Sequence, residues 1–309
     1  MKTRIVPFLF TLASTLVLAQ PAQVPPGRTA IHRGPPLPEG TQAYRDIAYV
    51  ANGHERQKLD LFLPPGATNP LPLIIWIHGG AWRAGGKENC PALRYLERGF
   101  AVASLNYRLS QHAIFPAQIQ DCKTAVRWLR LHAKEYHLDP ERFAAWGASA
   151  GGHLVALLGT SGGVKEFDVG ENLAVSSRVQ AVVDFFGPTD FTQMSRDSLP
   201  NAPFDHDAAD SPESLLVGGA IQQNKDKVAK ASPLTYISKD DPPFLIMHGN
   251  KDNLVPFQQS ELLRDALQKV GVPVTLKIIA GAGHGFGGRE VEAQVAEFFE
   301  RQLKRSPQP

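Results

Sequence analysis

The segment Phe143-Ala144-Ala145-Trp146-Gly147-Ala148-Ser149-Ala150-Gly151-Gly152, with the apolar run that continues to Leu158, decides the architecture. Residues 143–146 read as a short buried strand and residues 152–158 as the start of a helix. Between them lies a G-x-S-x-G turn, so tight that only small residues fit around the serine. All four flanking positions are Gly or Ala. Such a turn lifts the Ser149 hydroxyl above the sheet edge at a helix N-terminus, where free N–H groups and the helix dipole favour developing negative charge. The plain alternative is a strand-to-helix turn whose serine only caps the helix.

On either side, strands alternate with helices. Residues 44–50 and 58–63 predict two strands around the turn Ala51-Asn52-Gly53-His54. The continuous apolar runs 71–77 and 100–105 suit strands buried on both faces. Residues 91–98 predict a helix stopped by Gly99. Phe115, Ile119, Cys122, Val126 and Leu129 recur at helical spacing and form one apolar face. Further strands are expected at 179–186, 244–247 and 274–279. Helices are expected at 260–270, with Leu262, Leu263, Ala266, Leu267 and Val270 inward, and at 291–303. This order predicts an α/β fold, a mostly parallel central sheet with helices on both faces. The polar, Pro-punctuated stretch 190–240 falls between the sixth and seventh strands. It is too long for a plain connection and reads as a cap or substrate-facing insertion.

Two further segments complete a chemical constellation with Ser149. His78-Gly79-Gly80-Ala81-Trp82 directly follows the run 71–77. Glycines there let backbone N–H groups turn toward an oxyanion, so Gly80, Ala81 and, from the turn, Ala150 are the expected donors. Trp82 either walls an acyl pocket or pins the loop, and His78 is expected to position the loop rather than move protons. Asp252 follows the strand at 244–247, and His284 follows the strand at 274–279. In a parallel sheet the C-terminal strand ends share one edge, which brings Ser149, Asp252 and His284 together. Their chain order is that of the Ser-Asp-His hydrolases. His284 would act as general base and Asp252 would fix its tautomer. Asp184, Asp190 and Asp241 compete less well for the acidic place. A histidine base works only when neutral, so activity should rise with pH through about 6–7.

The set HGGAW, GASAGG, HGNKD and GAGHG resembles the bacterial feruloyl-esterase-like (BD-FAE-like) branch of the α/β-hydrolases, near the hormone-sensitive-lipase-type carboxylesterases. Asn106-Tyr107-Arg108, the stretch Phe115-Pro116-Ala117-Gln118 with Asp121, and Pro242-Pro243-Phe244 leading to Val255-Pro256-Phe257 carry the same resemblance, which runs from about Tyr44 to the C-terminus. One departure is Ala81, where lipase-type relatives usually carry a last glycine; its N–H is kept. The resemblance implies a serine carboxylester hydrolase acting on acetyl, short-chain or feruloyl esters, small or polysaccharide-linked, without metal or organic cofactor. Similar chains include formamidases and exopeptidases, so an amidase is the nearest rival. A catalytically silent binding module on the same fold is the rival of another class.

Composition narrows the rest. Among 309 residues, 32 Lys and Arg nearly balance 30 Asp and Glu, so no basic excess supports a nucleic-acid partner. Lys2 and Arg4 precede an apolar run from Ile5 to Leu18, followed by small residues with Val17 and Ala19 at the cleavage-type positions. This pattern predicts a signal peptide over 1–19, a secreted or periplasmic mature chain, and no stable membrane insertion after cleavage. A Pro-rich leader over 20–43 and a catalytic domain over 44–305 follow. Cys90 and Cys122 are open to pairing in an exported chain, although Cys122 belongs to a helix's apolar face. Arg108 and Asp121 are candidates for an ion pair. Asp205, Asp207 and Asp210 crowd one loop without a calcium-loop pattern and read as solvated.

Overall fold

Strand β3 (Leu71–Ile77) is buried at every position, and alternate residues feed two different cores. Leu73, Ile75 and Ile77 join Leu154, Leu157 and Leu263 on one face, while Ile74 and Trp76 join Tyr95, Trp146 and Phe299 on the other. Two-residue periodicity with both faces covered is why this strand is uninterruptedly apolar. The computed structural model describes residues 36–304. The expected signal peptide and most of the Pro-rich leader lie outside the described residues.

Around β3 stand β1 (Gln42–Ala48), β2 (Lys58–Leu63), β4 (Ala101–Leu105), β5 (Leu138–Ala148), β6 (Ala181–Phe185), β7 (Phe244–Gly249) and β8 (Val274–Ile279). They form one eight-stranded sheet in the order β1-β2-β4-β3-β5-β6-β7-β8. The β1–β2 and β2–β4 pairs are antiparallel, and all others are parallel. The helices are α1 (Ala117–Leu131), α2 (Ala150–Thr160), α3 (Met194–Asp197), α4 (Pro212–Val217), α5 (Lys225–Ala231), α6 (Gln258–Lys269) and α7 (Arg289–Leu303). This is an α/β-hydrolase fold. None of the helices is long and apolar enough to cross a membrane, among the described residues.

Several boundaries differ from the expectation for identifiable reasons. Residues Pro91–Arg98 form a 3-10 helix rather than an α-helix, closed by Gly99 in the left-handed region. Strand β5 begins at Leu138, because Leu138 pairs with Leu71 before a register shift resets the ladder at Phe143. In α6, Leu263 and Leu267 are buried, but Val270 lies past the last turn and is exposed. Helix α1 buries more than its apolar face. Lys123 and Arg127 also point inward, where both reach Asp168 Oδ1, at 3.0 and 3.2 Å.

Arg108 and Asp121 do pair, at 2.7 Å, and Gln57 donates to the same carboxylate. The two cysteines are free and buried. They cannot meet, because Cys90 belongs to one core and Cys122 to the other, on opposite faces of the sheet. In the acidic loop Asp205 accepts from Ser195 Oγ at 2.6 Å and from the Asp207 amide at 2.9 Å, and Asp207 accepts from Gln222 Nε2 at 2.8 Å. Between β6 and β7 the chain runs through α3, α4 and α5 and three short 3-10 turns.

Candidate active site

Strand β5 delivers Ser149 to the C-terminal edge of the sheet, and α2 departs at the next residue. The turn requires Ser149 to take φ +57°, ψ −123°, a strained geometry for a side-chain-bearing residue. It holds because the surroundings leave no other path. The Ser149 amide donates to Phe185 O at 2.8 Å. A Cβ on Gly151 would lie 2.1 Å from the carbonyl oxygen of Ile77, so only glycine lets α2 pack against the end of β3. The Ala150 amide opens α2 and has no helical carbonyl to bond, which leaves it free for an anion.

The loop after β3 lies against this turn. A Cβ on Gly79 would meet the Ala148 carbonyl oxygen at 2.6 Å. Gly80 O accepts the Arg83 and Ala84 amides, both at 3.0 Å, and Ala81 and Trp82 each have φ +54°. His78 is buried beneath, stacked on Tyr107 with ring centroids 4.5 Å apart. Its Nδ1 lies 2.7 Å from Gly79 O and its Nε2 3.2 Å from Arg56 Nη2. Burial pulls its pKa down to about 4. A neutral ring with both nitrogens occupied holds the loop and has no route to a reacting group. Trp82 packs edge-on to His153 and Phe191, and it also borders the cavity above Ser149.

Asp252 and His284 arrive on the turns after β7 and β8. The two turns are tied together: the Lys251 amide donates to Ala282 O and the Gly281 amide to Asn250 Oδ1, both at 2.8 Å. His284 Nδ1 lies 2.8 Å from Asp252 Oδ2. The Asp252 side chain is fully buried and His284 keeps 16% of its side-chain surface. Asp252 Oδ1 accepts the amides of Leu254 and Val255, at 2.9 and 3.0 Å. Burial pushes this carboxyl up, but hydrogen bonds from His248 and His284 outweigh it and hold the group well below the usual carboxylate range. The other carboxylates are engaged elsewhere: Asp190 caps Thr192 and Asp241 bonds Ser238. A cavity of about 410 Å³ is bordered by Gly80, Ala81, Trp82, Ser149, Ala150 and His284 together.

A family model described as BD-FAE matches residues 59–267. The chain belongs to the BD-FAE family. LipM, a probable carboxylic ester hydrolase of Mycobacterium tuberculosis (strain ATCC 25618 / H37Rv), is 35% identical over 247 residues, covering 78% of this chain and 56% of LipM. The chain thus spans little more than half the length of the curated relatives it matches. A solved structure described as a truncated form of a carbohydrate esterase from gut microbiota superposes with TM-score 0.78 at 35% identity, covering 87% of this chain and 99% of that one. A bifunctional GH43-CE protein of Bacteroides eggerthii gives TM-score 0.77 at 36% identity, over 84% of this chain and 35% of that one. The BD-FAE match contains Ser149 and Asp252 and ends before His284, so the place of the histidine rests on geometry.

Three residues in this BD-FAE chain escaped the sequence reading. His248 Nε2 lies 3.1 Å from Asp252 Oδ2, and its Nδ1 lies 2.7 Å from Ser260 Oγ. It sits in β7, one residue past the apolar run that marks the strand, four before Asp252. Arg56 steadies His78, and Glu213, on α4, reaches the cavity from the β6–β7 segment along with Phe204 and Pro212. No local pattern marks either.

Asp184 carries a separate consequence for stability. Its Oδ1 accepts the Gly187 amide at 2.9 Å, its Oδ2 has no partner, and burial pushes its pKa from 3.8 up to about 7. The folded state therefore binds this proton more tightly than the unfolded chain. That contribution is fully present below about pH 4 and is lost as the pH rises to about 7. Asp184→Asn keeps the amide's acceptor and removes the charge. Relative to wild type it should gain on the order of 4 kcal/mol between pH 4 and pH 8, read by denaturant melts at both pH values. An unchanged difference at the two pH values would contradict an ionisable, buried Asp184.

Proposed function

We propose that the chain is a carboxylester hydrolase working through an acyl-enzyme. The observation that carries this is the 2.8 Å hydrogen bond between the buried Asp252 and His284, which borders the same cavity as Ser149. Ser149 Oγ attacks the ester carbonyl while His284 Nε2 takes its proton. Asp252 at Nδ1 keeps the ring in the accepting tautomer and stabilises the imidazolium. The N–H groups of Gly80, Ala81 and Ala150 receive the oxyanion, each such donor contributing about 3 kcal/mol. The intermediate collapses, His284 returns the proton to the departing alcohol, and a water activated by the same ring releases the acid. Trp82 borders the acyl side, and Phe204, Pro212 and Glu213 from the segment 190–240 border the substrate cavity.

Carbohydrate esterases among the structural neighbours support a polysaccharide-linked or small acyl ester as substrate. The basic head, apolar run and small-residue exit at the N-terminus support export of the mature chain. Initial rates on p-nitrophenyl acetate, butyrate and octanoate, methyl ferulate and acetylated xylan, beside a formamide and an alanine anilide, test the reading. Turnover of esters ahead of both amides is expected. Cleavage of the formamide or anilide alone would replace the ester with an amide substrate.

A further inference from the structure

The cavity above Ser149 is walled mainly by carbon, from Trp82, Phe186, Pro188, Leu254 and Val255, yet it includes one carboxylate, Glu213. Glu213 is only 3% exposed. Its Oε1 lies 3.2 Å from His206 Nδ1, and its Oε2 has no hydrogen-bond partner. His206 is itself buried, and neither of its ring nitrogens makes a hydrogen bond. Buried polar atoms are nearly always paired, so an unpaired oxygen on a carboxylate residue that borders the cavity asks what supplies its donor. Beside it, Phe204 borders the same cavity while remaining 40% exposed. Phe204 and His206 meet edge-on, with centroids 4.9 Å apart.

An open aromatic face next to an acceptor without a donor fits a guest ring that carries a hydroxyl. We propose that Glu213 is a specificity-determining residue that accepts a hydrogen bond from a hydroxyl of the ester substrate, with Phe204 packing on the ring that bears it. This rests on the ester-hydrolase reading above. A hydroxyl donating to a carboxylate forms a short, charge-assisted bond. A site built for that bond discriminates sharply against an analogue without the hydroxyl. The hydroxyl has two possible sources with one chemistry: a sugar on the alcohol side, or a phenol on the acyl side.

Two substrate pairs separate them. The sugar pair is an acetylated methyl xyloside against tetrahydropyranyl acetate, and the phenol pair is methyl ferulate against methyl 3-methoxycinnamate. In wild type, kcat/KM should favour the hydroxylated member of one pair by at least about tenfold, and Glu213→Gln should shrink that ratio by about tenfold. The pair that responds names the source. Phe204→Ala should raise KM for the same hydroxylated substrate while leaving the Glu213 carboxylate itself in place. Wild-type ratios near one in both pairs, or ratios that Glu213→Gln leaves intact, overturn the proposal while ester hydrolysis stands. If wild type cleaves p-nitrophenyl acetate but none of these four esters, the proposal falls alone; if it cleaves no ester at all, the ester-hydrolase reading falls, and this proposal with it.

Discussion

Ser149→Ala is expected to lower kcat on a short acyl ester by about 10⁶-fold and to leave the thermal midpoint within a few degrees of wild type. Removing a serine nucleophile alone costs on that order, because the members of such a constellation act as a unit. The residual rate would come from the N–H groups of Gly80, Ala81 and Ala150 acting on a water-attacked ester. The fold should tolerate the change: the turn is held by the Ser149 amide and by the close approach of Gly151 to Ile77, and alanine alters neither. Parallel rate and melting measurements separate chemistry from folding. A loss below tenfold with the fold intact would mean that Ser149 does not form the acyl-enzyme.

Asp252→Asn should cost about 10⁴-fold in kcat, through the tautomer of His284 rather than through lost packing. An asparagine can still accept the Leu254 and Val255 amides through its oxygen. Its amide nitrogen then faces His284 Nδ1 and His248 Nε2, which in wild type both point at Oδ2. His284 answers by carrying its proton on Nε2, the nitrogen that must be empty to take the Ser149 proton. The wild-type carboxyl is held well below the usual range, so its charge persists through mildly acidic pH. Its contribution to stability is fully present above about pH 4 and is lost as the pH falls further, below the ordinary carboxylate value. Initial rates and an acid titration of the melting temperature check the two halves. A variant with near wild-type kcat would remove Asp252 from the mechanism.

The parts of the fold that read directly from sequence are those where one physical demand controls every residue. Strand β3 is apolar throughout because both its faces are covered, and the turn at Ser149 keeps glycine at 147 and 151 because a Cβ there would meet the carbonyl oxygens of Gly151 and Ile77, respectively. The start of β5 was hidden because Asp139, Pro140, Glu141 and Arg142 are polar or ring-locked, and only pairing of Leu138 with Leu71 extends the ladder there. His248 was hidden because the apolar run ends at Met247 while the strand continues to Gly249. Glu213 and His206 were not legible at all. Short helices in a polar segment carry no period that tells a buried carboxylate from a solvated one, and only the tertiary fold brings α4 over the Ser149 cavity. Trp82 resolves differently again: it is both a packed core residue and part of the cavity wall.

The most direct test of the central claim is covalent. The full chain is incubated with a p-nitrophenyl alkylphosphonate, whose phosphorus is trapped by an activated serine, and intact mass and peptide mapping follow. One phosphonyl group per chain on the peptide containing Ser149, absent in Ser149→Ala and strongly slowed in Asp252→Asn, is the expected result. An unlabelled wild type, or a label on any other residue that survives Ser149→Ala, would contradict a Ser149 nucleophile.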